Sequence, residues 1–338
     1  MRIMITGGTG FIGGAAARRL LDRGDSVVIL TRSTARARAL EERGATIIVG
    51  DVRDPNSVTH AAAGCEAVLH AAGLPRPATW RSFRATHIDG TRNVLAAARK
   101  QGVRRVVTLA SQAVLFAGRD LLGIDETHPY PRSYIDPYSA TKAAGERIAL
   151  AENNRGLEVT SLRPAVVWGR GDTTILPIFA RLARSAVGVP MCGDGLNLEA
   201  TTHIDNLTET MLAALTAPAA PGRAYFVVDA FQIGSREFLS RLLEAAGVRP
   251  RFFKVPRLLA EPAAWTLDQA AGALGLPVPL AYFGVRSALS SRSIKSTRAR
   301  DELGYRARVQ LDEGLADLGA WVAEIGGAEA LYHRRQLR

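Results

Sequence analysis

Short apolar runs alternate with helix-forming stretches through the first half of the chain. "RIMITG" at 2–7, "SVVILT" at 26–31, "ATIIVG" at 45–50, "AVLHAA" at 67–72, "VRRVVTLAS" at 103–111 and "LEVTSLRP" at 157–164 read as strands. Between them, "AAARRLLDRG" at 15–24, "ARARALEERG" at 35–44 and the span Arg81–Gln101 read as helices. Strands alternating with helices imply parallel pairing through right-handed crossovers, hence an α/β fold with a doubly wound parallel sheet of the Rossmann type.

After about residue 170 the rhythm loosens. Helices over Ile204–Leu215 and Ser235–Ala246 mix with short strands near "AYFVVD" and "RFFKVP". The pattern divides the chain into a dinucleotide-binding domain at 1–170 and a smaller C-terminal α/β substrate lobe at 171–330. Parts of 200–230 are expected to return to the first domain.

Composition changes this picture little. The 338 residues are 47% hydrophobic and 22% charged, as in an ordinary globular protein. The net charge of +11 invites a nucleic-acid reading, but the arginines are scattered and form no basic block, so no nucleic-acid partner is expected. The two cysteines, Cys65 and Cys192, make neither a disulfide framework nor a zinc site, and no metal site is expected. A strand beginning at Arg2 leaves no room for a signal peptide, and a reducing, cytoplasmic location is the expectation. No apolar run has the roughly 18 residues of a membrane span. The nearest, Leu258 to Phe283, is broken by Glu261, Asp268 and prolines, and reads as the roof of an apolar pocket, with contact to a membrane surface as the alternative.

The candidate chemistry begins with "TGGTGFIGG", directly after the first strand and opening a helix. Gly7 permits the tight turn, Gly10 lets backbone approach a pyrophosphate, and Gly13 lets helix and strand pack closely. The helix N-terminus then offers free N–H groups to the phosphates. Thr9, Phe11 and Ile12 complete the loop's expected contacts with the cofactor. NAD-binding versions hold the ribose hydroxyl with an acid at the end of the second strand. Here Thr31 and Arg32 stand there, with Arg36 and Arg38 one turn on, so NADP(H) is expected over NAD(H).

"PYSATKAAGE" places Tyr138 and Lys142 four apart, on one face of a helix. Free tyrosine is a poor acid or base at neutral pH. A neighbouring ammonium and the charge of a nicotinamide favour its ionised form, which makes it useful in proton transfer. Ser111, at the end of a strand, faces the crevice where such sheets bind ligands and can hold a substrate oxygen beside the phenol.

The chain resembles the extended short-chain dehydrogenase/reductase family, in its 3β-hydroxysteroid dehydrogenase and dihydroflavonol reductase-like branch. The resemblance covers roughly residues 1–325 and rests on "TGGTGFIG", "GDVRD", "HAAG", "SQAV", "YSATK", "LRPAVVWGRGD" and "THIDNL". It implies that Asp51 and Val52 border the adenine, and that Ala71, Ala72 and Gly73 line the cofactor. It also implies that Pro164, Val166 and Val167 pass near the carboxamide, and that Lys142 holds the nicotinamide ribose. In "HIDGT", His87 replaces the asparagine that supports the lysine's relay water in related enzymes; a structural role is favoured for it.

A homodimer is common in the family and is expected here. The substrate is expected to be a small apolar ketone or secondary alcohol, such as a sterol, a polyketide or a β-keto acid derivative. Gln112, Ala113, Val114, Trp168 and His203 are candidate substrate contacts, although His203, just before a helix, suits a structural role better. Leu115, Phe116, Leu176, Phe179 and Phe283 extend the candidate pocket wall. Two alternatives stand beside this reading. Nucleotide-sugar epimerase or dehydratase chemistry is disfavoured by Val166 in an asparagine's position and by Gln112 and Ala113 after the serine. A non-catalytic NADP-binding regulator is disfavoured because Ser111, Tyr138 and Lys142 are all present.

Overall fold

Seven strands lie side by side, every pair parallel: β1 (Arg2–Thr6), β2 (Ser26–Thr31), β3 (Thr46–Val49), β4 (Ala67–His70), β5 (Arg105–Leu109), β6 (Glu158–Pro164) and β7 (Ala224–Val227). Their spatial order is β3-β2-β1-β4-β5-β6-β7. The computed structural model describes residues 1–74, 78–154, 156–276 and 281–333. Strand order reverses between β1 and β4, which opens a crevice beyond the carboxyl ends of these strands.

Alternation along β1 sends Ile3 and Ile5 to one face and Met4 to the other, as a two-residue period requires. Ile3, Ile5, Leu20, Ile29 and Met211 form one core; Met4, Val28, Val68, Val94 and Val106 form the second. The helix Ile204–Ala214 packs on the first of these cores, and β7 pairs with β6, so this part of the chain belongs to the main sheet.

A third core, around Trp168, Leu176, Phe238, Leu242 and Trp321, builds the smaller lobe from the helices Ile175–Arg184, Ser235–Ala245 and Leu311–Glu324. A two-stranded parallel sheet, Val189–Cys192 with Phe252–Val255, lies beside it. The helices Arg257–Ala273 and Ala281–Ala288 follow. Among the described residues no helix is long and apolar enough to cross a membrane.

The continuous helix expected over Arg81–Gln101 is divided. A short helix Trp80–Arg84 passes into a π-helical turn, Ala85–Asp89, before the α-helix Gly90–Lys100. The wider turn carries His87, and π turns concentrate at functional sites. Gly145, on the helix Pro137–Ala151, lies so close to this turn that a Cβ there would overlap the His87 carbonyl oxygen.

Candidate active site

The glycine loop closes on itself as its spacing requires. Gly7 has φ +71°, and a Cβ on it would come within 2.8 Å of the Ala71 and Ala72 backbone. A Cβ on Gly13 would overlap the Gly7 carbonyl oxygen. Gly10 differs: a Cβ there would meet only the Gly7 oxygen, at 3.3 Å, so its outer side is open to a ligand. Gly10 is also the N-cap of the helix Phe11–Asp22, whose first turn has no acidic residue to compete for the free N–H groups. Phe11 and Gly13 are buried, while Thr9 and Ile12 are half-buried at the rim.

At the end of β2 no carboxylate faces the crevice. Arg32 is exposed there, and Arg36 lies one turn on, also exposed. Arg38 pairs with Glu42 at 3.0 Å on the solvent-exposed side of its own helix. Burial pushes the Asp51 carboxyl up, but hydrogen bonds from Arg53, with Arg32 adding its charge, hold it below the usual carboxylate range. Val52 is buried against Gly90.

The catalytic candidates converge at the ends of β4 and β5. Ser111 caps a 3-10 turn, Gln112–Leu115, with Oγ accepting from the Ala113 N–H at 3.2 Å; its own proton remains to donate. Asp136 caps the helix Pro137–Ala151 through the Ser139 N–H and hydroxyl, at 2.9 and 2.6 Å. Tyr138, in the first turn, is held edge-on by Phe83 and His87, with ring centroids 6.0 and 5.6 Å away. One turn further, Lys142 Nζ donates to the Leu109 carbonyl at 2.8 Å, two residues before Ser111. A Cβ on Gly73 would lie 3.5 Å from that ammonium. Lysine, serine and the Ala71–Gly73 turn therefore border one crevice.

His87 has both ring nitrogens engaged. The Leu74 N–H can only donate, so Nε2 accepts it, at 3.2 Å. The ring proton therefore sits on Nδ1 and is given to Thr141 Oγ1 at 3.0 Å. Thr141 passes its own proton to the Pro137 carbonyl at 2.7 Å. The histidine thus ties the turn after β4 to the start of the catalytic helix.

Beside Lys142 lies a small cavity of about 20 Å³, bordered by His70, Thr91, Thr108 and Glu146, with room for one water. Thr108 Oγ1 is buried there with no hydrogen-bond partner among the described residues.

Two networks escaped the sequence reading. His70 sits between Thr6 Oγ1, 2.7 Å from Nδ1, and Thr91 Oγ1, 3.1 Å from Nε2. Below the catalytic helix, Glu146 receives the Arg163 guanidinium at 2.9–3.1 Å, with Tyr130 at 2.7 Å and Ser161 at 2.7 Å. The signals were present: a glutamate two turns past Tyr138, and an arginine in an otherwise apolar strand.

The expected pocket wall separates into two groups. Val114, Leu115, Phe116 and Phe283 cluster with Tyr138. Leu176 and Phe179 belong to the core of the smaller lobe, as does Trp168, which is 0% exposed and gives its indole N–H to Asp229 at 2.8 Å. His203 is 1% exposed, stacked edge-on against Trp168, and Nδ1 accepts the Asp205 N–H. Burial pushes its ring toward the neutral form. Neither Trp168 nor His203 presents surface to the crevice, because the Asp229 hub holds both inside. Gln112, Ala113 and Val114 are buried beside Ser111, Pro164 is buried at the end of β6, and Val166 and Val167 are half-buried just beyond.

A glycine loop at a switch point, with serine, tyrosine and lysine around the same crevice, is the architecture of a dinucleotide-dependent oxidoreductase. The chain belongs to the NAD dependent epimerase/dehydratase family, matched over residues 3–228. This makes it an NAD(P)-dependent enzyme of the extended short-chain dehydrogenase/reductase type.

The chain is 35% identical to a 4-hydroxy-2-methyl-3-oxo-4-farnesyl-3,4-dihydroquinoline-1-oxide ketoreductase of Stigmatella aurantiaca, covering 99% of this chain and 100% of that protein. It is 34% identical to a 2-alkyl-3-oxoalkanoate reductase of Stenotrophomonas maltophilia, covering 95% and 99%. It is 32% identical to 3beta-hydroxysteroid-dehydrogenase/decarboxylase isoform 1 of Arabidopsis thaliana, covering 92% and 77%. In fold it is similar to a UDP-glucose 4-epimerase of Thermotoga maritima, with TM-score 0.75, 20% identity and 96% and 99% coverage.

Proposed function

We propose that the protein is an NADP(H)-dependent ketoreductase that interconverts an apolar ketone and its secondary alcohol. The observation that carries this reading is the convergence of Ser111, Tyr138 and Lys142 beside an apolar cluster containing Phe116 and Phe283. The glycine loop, the helix N-terminus at Phe11 and the exposed Arg32 suit a dinucleotide with a 2′-phosphate. When bound, that coenzyme exchanges a hydride with the substrate carbon.

The chain's own residues handle the oxygen. Ser111 donates a hydrogen bond to the carbonyl oxygen and fixes its direction. Tyr138 gives its proton to that oxygen during reduction, and takes it back in the reverse direction. Lys142, held by the Leu109 carbonyl, keeps a positive charge beside the phenolate so produced. The names of the relatives favour an extended apolar substrate with an oxo group, such as a 3-oxo acid derivative or a ring ketone. A homodimer is part of the same proposal, to be checked by light scattering.

The test is a screen of 3-oxo esters, ring ketones and UDP- or dTDP-sugars with NADPH and NADH in parallel, repeated with Tyr138→Phe. The expected outcome is NADPH oxidation with the ketones, reduced about 10²–10⁴-fold in the variant, which still binds NADPH. Turnover only with sugar nucleotides, or undiminished turnover in the variant, would overturn the reading.

A further inference from the structure

We propose that the exposed side of the helix Arg257–Ala273, with the turn to Leu276 that follows it, is a docking surface for an anionic lipid bilayer. Half of the large apolar side chains exposed among the described residues lie in this one stretch: Leu258, Leu259, Trp265, Leu267, Leu274 and Leu276. Leu258 is 88% exposed and Leu274 73%, so they contribute nothing to the core and stand in water. Clustered apolar exposure of this kind marks an interaction site, unlike single scattered residues.

Charge decides which partner suits the face. The two acids of the helix are already engaged. Glu261 pairs with Arg257 at 2.7 Å and Arg286 at 3.1 Å, and Asp268 accepts the Ala281 and Tyr282 N–H groups at 3.0 Å each. Just before the helix, Arg249, Arg251 and Lys254 are exposed and make no ion pair among the described residues. No acidic residue occurs between Ala245 and Ala260.

A basic rim leading into an apolar face with an exposed tryptophan matches a surface of anionic headgroups over acyl chains. The groove on this face, about 340 Å³, is lined by Leu258, Pro262, Trp265 and Tyr282, with Arg257 and the Glu261 that it shares with Arg286 at its edge. A second copy of the chain fits less well, because this face carries no free acid to answer the rim.

The helix Ala281–Ala288, packed against this one, meets the candidate cleft. Phe283, on the helix Ala281–Ala288, packs edge-on against Phe116 with centroids 5.5 Å apart, and Arg286 donates to the Gly118 carbonyl. Docked on a bilayer, this pair of helices would set the cleft beside the phase in which an apolar ketone concentrates.

The experiment uses the full chain with Trp80→Phe, which leaves Trp265 as the exposed indole beside the buried Trp168 and Trp321. It is mixed with vesicles of phosphatidylcholine alone or of equal parts phosphatidylcholine and phosphatidylserine. With the anionic vesicles the protein is expected to co-sediment at low salt, and its emission to shift to the blue. Binding is expected to weaken roughly fivefold for each of Arg251→Ser and Lys254→Ser. Leu258→Gln with Leu274→Gln is expected to abolish it while leaving the thermal midpoint unchanged. Failure to sediment with the anionic vesicles would overturn the proposal. So would equal binding to both vesicle types, or a lipid-free dimer that the two Leu→Gln changes dissolve.

Discussion

His70 is neutral in the folded protein and must pay a large cost to become charged. It lies fully inside the sheet at the end of β4, and burial, with the nearby Lys142 charge adding to it, pushes its ring down to about 3. The hydrogen bonds explain why no compensating partner exists. The Ala72 N–H donates to Thr6 Oγ1, so that hydroxyl gives its own proton to Nδ1. On the other side, Nε2–H donates to Thr91 Oγ1, which donates to the His87 carbonyl at 2.7 Å. A second ring proton would face a hydroxyl already committed as a donor.

Because the folded value lies below that of the unfolded chain, near 6.5, the unfolded chain binds the extra proton first as pH falls. The contribution to stability is therefore complete above about pH 6.5 and is lost at about 1.4 kcal/mol per pH unit below it, ~3 kcal/mol by pH 4. Against a total of roughly 5–15 kcal/mol this is a large share. Urea unfolding of the native chain and of His70→Asn across this range separates the histidine from the carboxylates common to both. The native chain should lose stability more steeply. Parallel slopes, or a His70 ring signal that titrates above pH 5 by NMR, would refute the account.

Three further outcomes are expected. Arg32→Ala should raise the Michaelis constant for NADPH about tenfold and leave that for NADH nearly unchanged, read from initial rates with each coenzyme. Gly13→Ala forces its Cβ into the Gly7 carbonyl and should cost about 1–3 kcal/mol of stability together with coenzyme affinity, measured by thermal melts and fluorescence titration. Arg163→Met strands the buried Glu146 carboxylate and should cost about 3–5 kcal/mol in urea unfolding, whereas adding Glu146→Leu should restore much of it.

The fold was largely legible because its signals are local. Apolar runs separated by helical periods demand a parallel sheet, and glycines at 7, 10 and 13 demand close backbone contacts. Tyr138 and Lys142 were legible for the same reason, since one helical turn fixes their common face. The misreadings depend on contacts far apart in sequence. Trp168 looked like pocket lining until Asp229, sixty-one residues away, captured its indole. The helix around His87 looked continuous because a π turn leaves no mark on hydrophobic periodicity. What selects it is the imidazole's reach to Leu74 and Thr141.

The last strand of the main sheet has a consequence for how the protein is made. β6 is buried along nearly its whole length, and among the described residues its outer edge is covered by Ala220–Val227, through β7 and the turn that leads into it. Until the ribosome has delivered that stretch, the first six strands carry a naked apolar margin able to pair with other chains. Truncation near residue 170 would leave that margin permanently open. The main sheet is therefore completed only after a good part of the smaller lobe has been synthesised.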